Sequence, residues 1–216
     1  MLEFFDQFLS NLKDTSVLEY VAVIAGIASV WFAKKENILV YPVGLFNTVI
    51  YIYLSVTGDL YGEASVNLYY TVMSIYGWII WTRRNEQHHL VLQVTNSSGK
   101  QWMQHLLFFT AFYVAIYFSL IYLQKAFYAN TIPPADAFAS ASAYTGMWLM
   151  AKKKVESWYW WIATNIASIP LYAIKGFALT SVYYAILLVL AIFGLKEWQQ
   201  RAKVRVRSVK EKPAIL

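Results

Sequence analysis

The sequence predicts an all-α membrane protein with seven transmembrane helices. The chain of 216 residues is 59% hydrophobic and 18% aromatic, and only 14% of its residues are charged. Soluble domains carry about a quarter charged residues, and here the charges cluster between long apolar runs. This combination is typical of a polytopic helical membrane protein. The sequence contains no cysteine, which excludes disulfides and thiolate metal sites.

Seven apolar runs are long enough to cross the hydrocarbon core of a bilayer, which is about 30 Å thick. They lie at about 17–33, 38–57, 63–82, 105–124, 135–151, 156–174 and 177–197. The fifth run is short and rich in Ala and Ser, so hydropathy alone would miss it. Ahead of them, residues 1–16 place Phe4, Phe8 and Leu12 on one helical face, which predicts either a short interfacial helix or a frayed terminus.

The distribution of Lys and Arg predicts the orientation of the chain. If the N-terminus lies outside, 15 of the 18 Lys and Arg residues fall on the inner side, and only Lys13, Lys125 and Lys175 lie outside. Removing any one span would mix the two sides, so the positive-inside rule supports seven spans and an N-out, C-in topology. The basic tail, 202–216, is then expected at the anionic cytoplasmic leaflet rather than on nucleic acid.

An internal repeat divides the chain. A shift of 118 residues places FAKKENILVYPVGLFN, ending at Asn47, over MAKKKVESWYWWIATN, ending at Asn165. The predicted division is a three-helix unit at 17–84, a segment at 85–134 with an inner loop, the linker helix 105–124 and an outer loop, and a second three-helix unit at 135–201. The lone helix restores the chain direction, so the units form parallel 3+1+3 repeats, the arrangement of SWEET transporters.

The repeat brings a carboxamide to a similar depth in each unit. At 1.5 Å per helical residue, Asn165 lies roughly 16 Å beyond Lys154, and Asn47 lies roughly 18 Å beyond Lys35, near the bilayer centre. An Asn at this depth either bonds a neighbouring helix or binds a polar ligand. The symmetric pair favours the ligand.

Trp158, Trp161 and Asn165 follow one stripe of the sixth helix, because they are spaced by three and four residues. The stripe indicates either an aromatic belt at the membrane surface or a wall for a flat, partly polar, cationic ligand that stacks on indole rings. Further candidates for the lining, with packing as the alternative for each, are Asn67, Tyr70 and Trp78 on the third helix, Tyr144 on the fifth and Tyr184 on the seventh.

Pro170 lies inside the sixth predicted helix. A proline there removes one backbone hydrogen bond and frees the carbonyl of Ile166. The residue is therefore either a hinge for gating or the site of a static kink, and the sequence leaves both interpretations open.

Ionisable side chains are missing from the middle of every predicted span. Proton- and voltage-coupled proteins usually depend on such groups, so ion coupling is not expected. The sequence also lacks a Gly-rich phosphate loop, and His88, His89 and His105 do not form a plausible metal site. We therefore predict neither an enzyme nor a bound cofactor or metal.

Several of these motifs resemble the bacterial nicotinamide riboside transporter family, often called PnuC. They are YGWIIW at 76–81, DAF at 136–138, GLFN at 44–47, GEASVNLYY at 62–70 and, above all, KKVESWYWWIATN followed by SIPLY. The likeness covers about 17–200. The family's W-x-x-W motif falls on Trp158 and Trp161, and its following polar position falls on Asn165.

The resemblance implies a seven-helix fold in the bacterial inner membrane, often assembled as a homotrimer. It also implies facilitated diffusion of an unphosphorylated vitamin precursor, which a cytoplasmic kinase traps by phosphorylation. Nicotinamide riboside is the expected substrate. Thiamine, or another vitamin or nucleoside of the same family, is the alternative, because Asn67 is one methylene shorter than the Gln of some nicotinamide riboside members. A more distant alternative is a non-transporting scaffold or receptor, in which the polar stripe only packs against neighbouring helices.

Overall fold

The computed structural model describes residues 9–10, 12, 15–57, 61–86, 90–127 and 131–210. Within these residues the regular structure is helical, and strand pairing is limited to two isolated bridges. The helices are α1 (Val17–Lys34), α2 (Val40–Thr57), α3 (Tyr61–Thr82), α4 (Gly99–Phe127), α5 (Pro133–Ala151), α6 (Ser157–Ile174) and α7 (Ala178–Lys210). The all-helical class and the number of helices are confirmed, whereas most of the predicted interfacial segment, 1–16, lies outside the described residues.

Two helices extend well beyond the apolar runs that predicted them. The structure begins α4 at Gly99 rather than at residue 105, and it continues α7 to Lys210 rather than to residue 197. The 33 residues of α7 span about 50 Å at 1.5 Å per residue, while the bilayer core is about 30 Å thick. Arg, Lys, Gln and Ala after residue 197 favour helix but not lipid. Hydropathy therefore marks only the apolar part of α7.

Within the described residues, four helices, α1, α2, α4 and α7, are long and apolar enough by themselves to cross a membrane. The other three, α3, α5 and α6, are less apolar. The reason is clearest for α5, whose small residues are buried against α3, α4 and α6. A helix that faces protein on several sides needs little apolar surface, and Ala and Gly allow close approach between helices.

The helices pack in two groups of three. In the first group α1 packs on α2 and α2 on α3, and in the second α5 packs on α6 and α6 on α7. The groups meet through α1 with α7 and through α3 with α5, while α4 packs on α5. The two contacts between the groups are equivalent by position. In each of them the first helix of one group, α1 or α5, packs on the third helix of the other group, α7 or α3.

Four buried aromatic side chains lie where the groups meet, and we call them the aromatic seal: Tyr41, Trp81, Trp158 and Trp198. Tyr41 meets Trp81 edge-on with ring centroids 5.1 Å apart, and Trp158 meets Trp198 edge-on at 5.6 Å. The rings of Trp81 and Trp198 are 6.1 Å apart. Each edge-on pair therefore belongs to one group of helices, and the two tryptophans join the groups.

Glycine makes these close ring contacts possible. A Cβ atom on Gly77 would collide with the ring of Tyr41, and one on Gly194 would collide with the ring of Trp158. Gly77 and Gly194 each lie four residues before the tryptophan of their own pair. The same local arrangement therefore occurs in both groups of helices.

The seal lies near one end of the bundle, which we call the basic end. The connection 35–39, the segment 90–98 and the connection 152–156 meet there. Thr95 holds the last of these, because its N–H donates to the carbonyl of Lys153 (3.1 Å) and its carbonyl accepts from the N–H of Val155 (3.1 Å). The start of α6 is fixed by these contacts.

Candidate functional site

Glu156 anchors the helix that carries the predicted aromatic stripe. Its carboxylate accepts hydrogen bonds from the backbone N–H and the hydroxyl of Ser97, both at 2.8 Å. The Ser97 hydroxyl also lies 3.4 Å from Nε2 of the buried His105 on α4. The first turn of α6 is therefore tied both to segment 90–98 and to α4.

The three consecutive lysines before α6 have different environments. The ammonium of Lys152 lies 4.0 Å from the ring centroid of Trp148, and burial, followed by the neighbouring charge of Lys154, lowers the pKa of Lys152. Lys154 donates to the Thr95 hydroxyl at 3.1 Å. Lys153 turns inward and pairs with Glu36 at 2.7 Å. The three lysines, which contributed to the predicted membrane orientation, therefore also contact neighbouring side chains in the folded protein.

The structure separates the two tryptophans of the predicted stripe. Trp158 is 1% exposed and belongs to the aromatic seal, and its Nε1 has no hydrogen-bond partner in the described part of the chain. Trp161 lies one turn further along α6, where its ring packs on Gly146 and stands 6.2 Å from the ring of Tyr70. The two indoles share a helix face but have different neighbours.

Trp161 belongs to a cluster with Tyr70 and Tyr144, both predicted as lining residues. Tyr70 meets Tyr144 edge-on at 6.2 Å. Tyr69, which the sequence analysis did not select, stacks on Tyr144 with centroids 4.2 Å apart and donates its hydroxyl to the Tyr144 carbonyl at 3.1 Å. We call Tyr69, Tyr70, Tyr144 and Trp161 the aromatic cluster. It joins α3, α5 and α6.

The two predicted amides differ in their bonding. Asn47 donates from Nδ2 to the carbonyl of Ala22 on α1 at 2.6 Å. Asn165 is 3% exposed, yet its carboxamide has no hydrogen-bond partner among the described residues. The hydroxyl of Thr164 lies 3.5 Å from the carbonyl of Ala139, and both of these residues lie 117 positions after Asn47 and Ala22. In the second group Thr164 therefore occupies the position that Asn47 occupies in the first, and it makes the equivalent contact. This leaves Asn165 available for other partners.

The remaining predicted residues do not stack on the aromatic cluster, although Tyr184 lies near Tyr70. Asn67 accepts the Thr71 hydroxyl at its backbone carbonyl, at 2.9 Å. Tyr184 stacks on Tyr172 at 5.2 Å and lies 5.6 Å from Tyr183. Trp78 is 40% exposed on the face of α3 that carries other exposed apolar side chains. The structure does not bring Trp78 into the aromatic cluster.

Tyr183 is a second residue that the sequence analysis did not select. A Cβ atom on Gly26 would meet its hydroxyl and would lie 3.1 Å from Nδ2 of Asn47. Tyr70 lies near both Tyr183 and Tyr184. The signal that could have found Tyr183 is its adjacency to Tyr184 in the stretch 182–192 of α7, whose other residues are all aliphatic.

Pro170 does not end α6, which continues to Ile174. The hydroxyl of Ser181 on α7 donates to the carbonyl of Ile169 at 2.8 Å. This bond ties the two helices together one residue before the proline. The choice between a hinge and a static kink stays a prediction.

Two open clefts lie at the basic end rather than beside the aromatic cluster. One has a volume of about 550 Å³ and the other about 260 Å³. Both are lined by Glu36, Gln93, Arg201 and Arg205. Their charged walls belong to an ion-paired surface, so we base the candidate site on the cluster and on Asn165.

Comparison with known proteins identifies the kind of protein that carries this site. The model of the nicotinamide mononucleotide transporter family matches residues 16–200. The chain belongs to this family. Because the family consists of transporters, the chain is a transporter and not an enzyme, and together with its apolar helices this makes it a multi-pass membrane protein.

Relatives within the nicotinamide mononucleotide transporter family carry two kinds of name. The chain is 24% identical over 218 residues to the nicotinamide riboside transporter PnuC of Escherichia coli (strain K12), covering 89% of each protein. It is 28% identical over 204 residues to the PnuC of Neisseria mucosa, covering 87% of this chain and 74% of that protein. It is also 22% identical over 200 residues to the riboflavin/roseoflavin transporter RibM of Streptomyces davaonensis, covering 89% of each.

A solved structure shares the fold of this family member. The crystal structure of the vitamin B3 transporter PnuC superposes with a TM-score of 0.69 and 24% sequence identity, covering 94% of this chain and 89% of that one. The seven-helix arrangement described above is therefore the fold of a known vitamin transporter.

Proposed function

We propose that this family member facilitates the diffusion of nicotinamide riboside across the bacterial inner membrane. The observation that carries the proposal is the aromatic cluster and, one turn beyond Trp161 on α6, the buried carboxamide of Asn165, which has no hydrogen-bond partner among the described residues. A nicotinamide riboside molecule offers a flat cationic ring and a carboxamide. The ring suits stacking on Trp161 and the tyrosines, and the carboxamide suits pairing with Asn165.

A riboside fits this site better than a mononucleotide does, although the family takes its name from the mononucleotide. A phosphate group is usually held by Arg, Lys or a helix N-terminus. The middle of each predicted span contains no Lys or Arg, and the basic residues lie near the helix ends. The names of the relatives from Escherichia coli and Neisseria mucosa favour the same substrate.

We further propose seven transmembrane helices in parallel 3+1+3 repeats, with the basic end in the cytoplasm. The exchangeable contacts of α1 with α7 and of α3 with α5 support the repeats. So do two hydrogen bonds: Trp81 donates to the carbonyl of Ala151 (2.9 Å), and Trp198 donates to the carbonyl of Ala33 (3.1 Å). The repeat units are those predicted at 17–84 and 135–201, and the cluster lies between them.

Transport by this protein is proposed to equilibrate its substrate, with a cytoplasmic kinase trapping the product. The reasoning is the missing ionisable group in the middle of the spans, since coupling to protons usually needs one. A homotrimer in the membrane is proposed from the resemblance to the family. Native mass spectrometry that shows only monomers in mild detergent would remove the trimer from the proposal.

Riboflavin is the second candidate substrate, because a relative of similar coverage transports riboflavin and roseoflavin according to its name. Its isoalloxazine ring would also stack on the cluster, but it is larger and uncharged. Thiamine remains the third candidate, since it is flat and cationic like nicotinamide riboside.

Calorimetric titration of the purified protein in detergent separates these candidates. Nicotinamide riboside, thiamine, riboflavin and nicotinamide mononucleotide are each titrated into the unmodified chain and into the Asn165→Leu variant. We expect the tightest binding for nicotinamide riboside and a loss of that preference in the variant. Binding of thiamine or riboflavin at least tenfold more tightly than nicotinamide riboside would move the assignment to that ligand.

A further inference from the structure

Glu36 and Lys153 form an ion pair between two left-handed backbone positions. They are the only non-glycine residues with positive φ in the part of the chain that the structure describes, at 57° and 51°. Each residue follows the last turn of a helix, and capping bonds from the N–H of Asn37 to the carbonyl of Phe32 (2.9 Å) and from the N–H of Lys154 to the carbonyl of Leu149 (3.0 Å) hold the two left-handed positions in place. The side chains of these two residues bond each other, with Nζ of Lys153 at 2.7 Å from Oε1 of Glu36.

The pair connects the two groups of helices at the basic end. Glu36 lies between α1 and α2, and Lys153 lies between α5 and α6. The Lys153 side chain is 2% exposed, and its ammonium stands 4.5 Å from the ring centroid of Trp81 in the aromatic seal. The other oxygen of Glu36 accepts from Arg201 of α7 at 3.1 Å. One carboxylate therefore joins both groups directly over the seal.

The seal itself holds two unpaired polar groups. The Tyr41 hydroxyl and the Trp158 Nε1 are buried and have no hydrogen-bond partner among the described residues, although Trp81 and Trp198 beside them are both bonded. A buried donor without a partner disfavours the arrangement that contains it. The closed seal thus combines an unfavourable feature, two buried donors without a partner in the described chain, with a buried ion pair that holds the seal shut.

Opposing contributions of this kind are expected in an element with two states. We propose that Glu36 and Lys153 are gating residues, whose ion pair latches the aromatic seal as the inner gate of the transport path. This inference rests on the proposed function and orientation. In the open state the ion pair separates, and Tyr41 and Trp158 gain water or the passing substrate as partners.

The chain contains no cysteine, which allows a direct test by single-cysteine labelling. Ser168→Cys places a thiol at a buried position of α6, ten residues and about 15 Å beyond Trp158 on the far side of the seal. A membrane-impermeant trimethylammonium methanethiosulfonate is added to the exposed cytoplasmic face of inside-out vesicles. Lys203→Cys on the exposed extension of α7 serves as the control for sidedness.

The labelling rate of the Ser168→Cys reporter is then compared between backgrounds. Lys153→Met removes the buried charge without leaving an unpaired one at that position, and we expect roughly a tenfold faster rate, the change that corresponds to about 1.4 kcal/mol. Lys35→Gln removes the more exposed pair between Lys35 and Glu197, which are 3.8 Å apart, and we expect the rate to stay within about twofold.

Glu36→Gln alone leaves Lys153 buried and unpaired and can impair folding, so the double variant Glu36→Gln with Lys153→Met completes the set. The double variant should label within about twofold of Lys153→Met alone, because both changes break the Glu36–Lys153 contact and the additional loss of the half-exposed Glu36–Arg201 pair contributes little. An unchanged labelling rate in folded Lys153→Met and in the double variant would overturn the gate. Labelling does not depend on the substrate, so it tests the gate separately from the proposed function. If the variants label as expected but the protein does not transport nicotinamide riboside, the proposed function is refuted and the gate is not.

Discussion

The ring centroids of Tyr70 and Trp161 lie 6.2 Å apart, which joins α3 of the first helix group to α6 of the second. Neither group contains the aromatic cluster by itself. A ligand held there would contact both groups, and a relative movement of the groups would change its access to either end of the bundle. This placement fits alternating access around a central site, and it makes the residues of the cluster testable one by one.

Trp161→Ala should weaken the binding of nicotinamide riboside. Loss of one cation–π contact is worth about 0.5–2 kcal/mol, which predicts a roughly 2- to 30-fold rise in Kd. Trp161→Phe should retain much of the affinity, because a ring remains. The matched control is Trp78→Ala, since that indole is exposed and lies outside the cluster. Equal losses in the Trp161→Ala and Trp78→Ala variants would contradict the placement of the site.

Asn165→Leu and Asn47→Leu should differ in what they damage. Asn165 has no partner in the described chain, so its replacement should raise Kd while leaving the thermal midpoint unchanged or slightly higher. Asn47 holds α2 to α1 through its bond to Ala22, so its replacement should reduce the stability by about 1–3 kcal/mol. Calorimetric titration and thermal unfolding of both variants check this, and a reversed pattern would show that the two amides have been assigned the wrong roles.

Phe substitutions of Trp81 and Trp198 in the aromatic seal should reduce the stability by similar amounts, because the two residues occupy equivalent positions in the proposed repeat. Trp81→Phe and Trp198→Phe each remove a buried hydrogen bond and leave the carbonyl of Ala151 or Ala33 unpaired, at a cost of about 1–3 kcal/mol. Trp158→Phe loses similar volume but no hydrogen bond, because its Nε1 has no partner in the described structure. Thermal unfolding should therefore show two similar large losses and one smaller one. A cost for Trp158→Phe equal to the other two would mean that volume alone determines the effect.

Gly146→Ala should disturb the site through Trp161. A Cβ at Gly146 would lie 3.2 Å from that indole, closer than ordinary van der Waals contact, so the ring must shift within the cluster. We expect weaker binding of nicotinamide riboside with little change in the labelling of the Ser168→Cys reporter, because the seal lies elsewhere. Gly99→Ala, where open space surrounds the glycine, is the matched control, and a loss of affinity in that variant would point to a general effect on folding.

The number of helices could be predicted from the sequence because the bilayer directly constrains the length of apolar runs and the placement of charges. The extension of α7 to Lys210 could not, since hydropathy does not register a polar segment that still favours helix. In the candidate site, the structure places the predicted residues Tyr70, Tyr144 and Trp161 side by side, and their role in binding stays a prediction. Tyr69 was missed because helical spacing from Tyr70 places it on another face, and only the approach of α5 brings the two tyrosines together on Tyr144.

The stripe of Trp158, Trp161 and Asn165 shows the limit of periodicity. Spacing assigns these residues to one helix face, but the partners of that face change along α6 from the seal to the cluster. The ion pair of Glu36 with Lys153 depends on two left-handed backbone positions and on contacts 117 residues apart. Nothing local in the sequence specifies such a pair, and the lysine was noted only as one of several topological charges.

Uptake of labelled nicotinamide riboside into proteoliposomes containing the purified protein tests the central claim most directly. The account predicts that the internal concentration rises only to the external one, and that accumulation beyond it requires a riboside kinase and ATP sealed inside. Liposomes without protein provide the background. Accumulation above the external concentration, driven by an imposed proton or sodium gradient with no kinase present, would contradict facilitated diffusion, and uptake no faster than in the empty liposomes would contradict transport of this vitamin altogether.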